Sequence, residues 1–302
     1  MKVSEIAKKC GYEFCGKDID VKRILYFDSA NYADIAIVHN ISEIESTKAG
    51  CILTLPRMVK TNQTVIYTCD SIELAAIKIA KTIIAKEQRS LSGPIEYEHT
   101  NNYFLGKNVF IGEGTFISPN VHIDDDVWIG ANCFISPNVH ISRGTIIKNN
   151  VMVGNGASIG ARSFYHYYED GLKEYEGIGS VVIEDDVVVG NSTTIQRGAF
   201  SDTIIGKCCK IGNLVDIGHD VVIGRDTKIV SQTGIASNVI IGDCVTVFGQ
   251  VGIANNIRIG NNSTIYAKSL VTKNVEDNQH VSGIYAREHS DELRLMTKLR
   301  KL

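Results

Sequence analysis

The sequence has no large excess of either charge, no CxxC pair, no apolar segment at its start and no apolar run of membrane length. With 31 Lys and Arg against 34 Asp and Glu, the net charge is −3, which excludes a general polyanion-binding surface. No run approaches the ~20 apolar residues of a membrane helix. The opening MKVSEIAKKC lacks the apolar stretch of a secretory signal. Eight cysteines without CxxC spacing do not suggest a zinc or disulfide framework, and all eight are expected as reduced thiols in a cytoplasmic protein. No metal site is expected either. His122 and His140 stand 18 residues apart and should stack, but catalytic zinc needs three protein ligands, and His39, His166, His280 and His289 lie outside the regular pattern.

The middle of the chain also lacks the periods of a helix or an ordinary strand. In their place an aliphatic residue returns every sixth position: Leu105, Ile111, Ile117 and onward to Ile159, then Ile183, Val189 and Ile195, then Ile205 through Val271. The residue two before it is small or β-branched, as at Val109, Thr115, Val121 and Cys133. Gly often follows, and Asn or Asp recurs in the turns, as at Asn108, Asn120 and Asp126. This period predicts a parallel β-helix with three short strands per coil of 18 residues. At roughly 4.8 Å between strands, about eight coils make a prism on the order of 40 Å long. The period alone does not fix the hand.

Residues 1–99 have no such period and read as a small α/β domain, a packing or substrate-side module. The expected elements are a helix over Val3–Cys10, strands at Ile24–Phe27, Ile35–Val38, Cys51–Leu55 and Thr64–Thr68, and a helix from a capping box of Asp70 and Glu73 to about Lys86. A polar linker over 88–103 leads into the β-helix domain, placed at 100–275. A tail over 276–302 ends in a short helix carrying Arg294, Lys298, Arg300 and Lys301 near its C-terminus.

Two breaks in the six-residue period mark candidate functional ground, because the coils need neither. The first, Ser163–Ser180, carries Phe164, Tyr165, Tyr167, Tyr168 and Tyr175 and is expected as a substrate or donor wall. The second, within Gln196–Ile205, adds four residues to one hexad. Coil arithmetic stacks Arg197, His219, Ser237 and Asn255. His219 lies beside Asp216 and Asp220, which can orient and tune an imidazole as a general base. A backbone N–H one coil on, at Ser237, can hold a developing oxyanion. This set suits transfer of an acyl group from a thioester to an amine or hydroxyl without a covalent enzyme intermediate.

The segment Thr193–Gly224, TTIQRGAFSDTIIGKCCKIGNLVDIGHDVVIG, with its insertion and the aromatic loop before it, resembles the UDP-3-O-acylglucosamine N-acyltransferases of lipid A synthesis. The resemblance spans nearly the whole chain in architecture and implies a left-handed β-helix with a small N-terminal domain and a C-terminal helix. It also implies a homotrimer with sites between subunits, and transfer of a 3-hydroxyacyl group from acyl carrier protein to a glucosamine nitrogen. The phosphopantetheine thioester, or a CoA thioester, is then a donor substrate, and no cofactor is bound permanently. His219 falls at the family's base and Ser237 at its oxyanion amide. Arg197, Asn255 and Asn256 are implied on the acceptor or phosphate side. Asn256 stands where the family has a second histidine, and Gly212 where it has an Asp. His39 and Asn40, in IAIVHNISEI, stand where the family's Asn-Pro-x-Tyr stretch meets uracil. The Gly-His-Asp run is equally similar to acyl-CoA-dependent N-acyltransferases of other nucleotide amino sugars, such as dTDP-linked amino-deoxyhexoses. A non-catalytic hexapeptide scaffold is the remaining reading.

Overall fold

The computed structural model describes residues 1–55, 61–87, 95–99, 102–283 and 289–300. Most of the expected linker, and Lys301, lie outside the described residues.

The N-terminal domain runs α1 (Val3–Cys10), β1 (Glu13–Cys15), β2 (Arg23–Tyr26), β3 (Asp34–Ile37), α2 (Ile41–Ser46), β4 (Cys51–Thr54), β5 (Thr64–Tyr67) and α3 (Ile72–Glu87). The sheet order is β1-β5-β4-β3-β2, parallel except for β1. Successive side chains on a strand point to opposite faces. Ile24, Ile35, Ile37, Leu53 and Ile66 therefore pack with α1 and α3, while Leu25, Ala36, Val38, Ile52 and Val65 pack with Ile44 of α2. The expected face of α3, Ile72, Ala76, Ile79 and Ile83, is buried. The helix start differs from the expected capping box. Ser71 Oγ accepts from the Leu74 N–H at 3.2 Å, and Asp70 instead accepts from Tyr12 Oη and Lys78 Nζ, both at 2.7 Å. The sequence reading also missed β1 and α2. At three and six residues they are too short for periodicity to show.

The remainder is a parallel β-solenoid. Among the described residues its three walls have ten, eight and nine strands, and only Glu98–His99, at one edge of the first, runs antiparallel. Ile195, Ile217, Ile235 and Ile253 pair in register. The hexad aliphatics and the residues two before them fill one core down the axis. The residue three after most of the aliphatics turns a corner in the left-handed region, as at Asn108, Asp126, Asp220 (φ 59°) and Asn256 (φ 60°). Asn and Asp tolerate that conformation, which accounts for their recurrence. The last rung is His280–Val281, paired with Thr264–Ile265 beyond the point where the hexad pattern fades.

The first break is a β-hairpin, Tyr165–Tyr168 against Leu172–Tyr175. Tyr167, Tyr175, Ala199 and Phe200 join the core cluster of the N-terminal domain. Both insertions are thus the surface on which that domain docks.

Candidate active site

The four extra residues of the second break form a cradle for one carboxylate. Asp220 is 3% exposed. Its Oδ1 accepts the N–H groups of Phe200 (3.1 Å) and Ser201 (2.6 Å), and its Oδ2 that of Ala199 (3.1 Å). Glycine is required where this turn folds back. A Cβ on Gly198 or Gly179 would collide with the Ser201 carbonyl. The Asp220 N–H donates to Thr203 Oγ1 at 3.0 Å.

The same Oδ2 lies 2.7 Å from Nδ1 of His219, which is 5% exposed. The Asp220 carboxylate accepts three N–H donors and, as an acceptor, pairs with a proton on Nδ1, which leaves Nε2 as the lone-pair nitrogen of the neutral tautomer. An imidazole held in that tautomer, with no hydrogen bond to Nε2 among the described residues, is equipped to take a proton. The Tyr165 ring packs edge-on against the imidazole, with centroids 5.5 Å apart at 66°.

The coil register aligns His219 with Ser237, as arithmetic predicts: the Asn238 N–H donates to the His219 carbonyl and the Asn256 N–H to the Ser237 carbonyl. At some equivalent hexad corners, though among the described residues not at Glu113, Lys207 or His219, the N–H is capped by a side chain one coil further on. Ala131 is capped by Asn149, Asn155 by Asn191 and Arg225 by Asp243. Ser237 has Asn255 one coil on, yet its N–H donates to no group among the described residues. Beside this column the outward wall lacks side chains at Gly234 and Gly252, and the exposed Leu270 follows them. A Cβ on Gly234 would meet nothing within 4 Å, whereas one on Gly252 would touch Leu270 at 3.4 Å, so the wall is bare at Gly234 and bounded beyond Gly252 by Leu270.

Several expected roles are corrected. Arg197 does not join His219. It is 8% exposed and donates from Nε to the Gly179 carbonyl (2.9 Å) and from a terminal nitrogen to the Arg143 carbonyl (3.4 Å). Burial lowers its pKa, and its role is to hold the excursion. Asp216 is not the orienting carboxylate. It lies on the outward wall, bonded to Gln196, and burial holds its carboxyl above the usual range. Gln196 Oε1 accepts the Phe164 N–H at 3.0 Å, tying the hairpin to that wall. Tyr167 is not an open wall, since it is 8% exposed with the Lys81 ammonium 5.8 Å from its ring centroid. Phe164 is exposed. Asn40 caps α2, its Oδ1 accepting the Glu43 N–H at 3.1 Å.

Of the other expected residues, His39 and Asn256 meet in a cleft of about 400 Å³ between the N-terminal sheet and the solenoid. It is lined by Tyr26, Phe27, His39, Asn238, Asn256 and Arg258 among others. His39 lies 3.5 Å from Glu73 and 3.7 Å from Glu43. The bond to Glu73 raises its pKa, and the same contact lowers that of Glu73 to about 2. Arg258 pairs with Asp28 across the cleft at 2.6 Å. Asn256 Oδ1 accepts from Asn238 at 2.8 Å, so half of its amide is already engaged. Asn255 is exposed. His122 and His140 pair as expected, but Asp124 takes His140 Nε2 at 3.0 Å and Tyr97 Oη at 2.7 Å. All eight cysteines are free. Sequence reasoning missed the Ala199–Ser201 cradle and Thr203. The Gly-Ala-Phe-Ser run after a regular hexad was the available signal.

Residues 108–143 match the profile of the bacterial transferase hexapeptide family (six repeats). The UDP-3-O-acylglucosamine N-acyltransferase of Helicobacter pylori (strain J99) is 32% identical over 237 residues, covering 73% of this chain and 70% of that protein. The enzyme of the same name from Campylobacter lari is 32% identical over 232 residues, covering 73% and 72%. Among solved structures, the UDP-N-acetylglucosamine acyltransferase of Francisella novicida superposes with a TM-score of 0.57 at 25% identity, covering 65% of this chain and 72% of that one.

Proposed function

The chain belongs to the UDP-3-O-acylglucosamine N-acyltransferase family, and on that premise we propose that it N-acylates a nucleotide-linked amino sugar, with His219 as general base. The observation that carries this reading is the cradled His219–Asp220 pair, whose Nε2 has no hydrogen bond among the described residues. The acceptor amine attacks the thioester carbonyl as Nε2 takes the amine proton. The C–N bond forms, and negative charge moves to the carbonyl oxygen, facing the uncapped Ser237 N–H. The intermediate then collapses, the C–S bond breaks, and the imidazolium returns the proton to the leaving thiolate. The enzyme is left unchanged.

Under this reading the acceptor is UDP-3-O-(3-hydroxyacyl)glucosamine, with its nucleotide in the cleft of His39, Asn256 and Arg258 and its amine toward His219. The donor chain runs along the outward wall where it is bare at Gly234. Acyl carrier protein is the favoured donor, because Arg294 and Lys298 are exposed on α4 (His289–Leu299) and suit an acidic partner. The protein acts in the cytoplasm as a homotrimer. The exposed aromatic columns Phe110–Trp128 and Phe116–Phe134 support a second copy against these walls.

A mass-spectrometric turnover assay tests the assignment. UDP-3-O-(3-hydroxyacyl)glucosamine is offered with 3-hydroxyacyl carrier protein and, separately, with the acyl-CoA. A parallel arm offers acyl-CoA with a dTDP-linked amino-deoxyhexose. Product in the carrier-protein arm is expected. Product only in the dTDP arm reassigns the acceptor, and no product in any arm ends the catalytic reading.

A further inference from the structure

We propose that Tyr165 is a positioning residue for the His219 imidazole, and that the N-terminal sheet completes this support through Tyr26 and Phe200. The proposal rests on His219 being the base. Asp220 fixes one edge of the imidazole through Nδ1, but a single hydrogen bond leaves the ring free to swing about it. The Tyr165 ring blocks that swing, edge-on at 5.5 Å. Tyr165 is in turn held edge-on by Phe200 at 5.4 Å and 88°, and by Tyr175 at 6.0 Å and 76°. Phe200 is 3% exposed and bears on Tyr26 of β2 at 5.8 Å and 82°. The same Phe200 gives its N–H to Asp220. Hairpin, excursion and N-terminal sheet therefore close one aromatic box around the dyad.

The Tyr165 hydroxyl has no hydrogen-bond partner among the described residues, and burial pushes its pKa up. Ring geometry is therefore what the site uses, and phenylalanine should serve as well. Misplacement of a reacting group by about 1 Å costs on the order of 100-fold in rate, so loss of the ring should fall on turnover and leave affinity alone.

The test uses the full-length protein labelled with ¹³C,¹⁵N-histidine, with the His219 ring resonances identified by their absence in His219→Ala. Tyr165→Leu is expected to shift those resonances, lower kcat about ten-fold or more and leave the donor KM within about two-fold. Tyr165→Phe is expected to restore resonances and kcat. Tyr26→Leu, outside direct contact with His219, is expected to shift the same resonances less, and decides the matter if Tyr165→Leu fails to fold. Unmoved resonances in both leucine variants would overturn the proposal. So would a rise in KM at constant kcat, which marks Tyr165 as a substrate wall. If the native protein turns over none of the offered substrates, the functional reading fails, while the resonances still decide whether Tyr165 positions His219.

Discussion

Asp220 draws together more of this protein than any other side chain. It takes three backbone N–H groups and the His219 Nδ1 proton while sitting at a left-handed corner. Asp220→Asn keeps the shape but replaces one acceptor oxygen by a donor. It should orphan N–H groups in the cradle and unsettle the imidazole tautomer, lowering kcat on the order of 100-fold or more by analogy with orienting carboxylates elsewhere. Steady-state kinetics with KM monitored separately checks this. Arg197→Met should behave in the opposite way. It removes bonds to the Gly179 and Arg143 carbonyls and none to His219, so melting should report a loss of about 1–3 kcal/mol with donor KM unchanged. A raised donor KM at unchanged stability would return Arg197 to the substrate side. The column that suggested Arg197 was legible from the six-residue period. Its side chain was not, because the strand runs on to Gln196 before the excursion and carries the guanidinium away from the column. Asp216 misled in the same way. Sequence adjacency to His219 does not reveal that it lies on the outward wall while Asp220 turns into the cradle.

At the scale of elements, the coils were readable because each hexad repeats one physical requirement: two inward apolar residues and a corner tolerant of positive φ. The short β1, α2 and hairpin strands carry too few residues for any period, and the partner of β1, Thr64–Tyr67, is distant in sequence. The loop before α2 shows what remained hidden. Its Asn40 caps the helix, while His39 reaches Glu73 of α3. That contact gives a pH signature. His39 has a raised folded pKa, so its contribution is full below its ordinary 6.5 and is lost as pH rises through the folded value. Glu73 is lowered to about 2 from 4.5, so its contribution is full above 4.5 and is lost as pH falls toward 2. The stability gap between native protein and Glu73→Gln should be widest between pH 4.5 and 6.5 and shrink at pH 9. A gap that does not vary with pH in calorimetry would remove the pair from the account. The thiols of both domains give a second signature. Burial pushes Cys51 up to about 12 and Cys209 to about 11, whereas Cys15, Cys69 and Cys244 are exposed. Iodoacetamide at pH 8 should modify those three and spare Cys51 and Cys209, as peptide mapping would show.

At the scale of the whole molecule, the N-terminal domain and the solenoid share one buried cluster across the two insertions, with a cleft beside it. The sequence reading left that domain between packing and substrate binding; the structure packs it against both insertions, and a substrate-side role belongs to the proposed function. Under that proposal the domain supports the base from behind through Tyr26 and presents His39 to the cleft in front. No helix among the described residues is long and apolar enough to cross a membrane, and the aromatic columns with exposed Phe110, Phe116 and Phe134 are better covered by copies of the chain. Sedimentation should therefore return a trimer at micromolar concentration, and a monomer would remove the shared-site picture. The central claim is narrower and concerns one nitrogen atom. Its most direct test is turnover by His219→Ala, measured beside donor and acceptor binding. General-base loss predicts a fall of about 10²–10⁴-fold in product formation with both affinities retained. Turnover near the native rate in that variant would contradict the account.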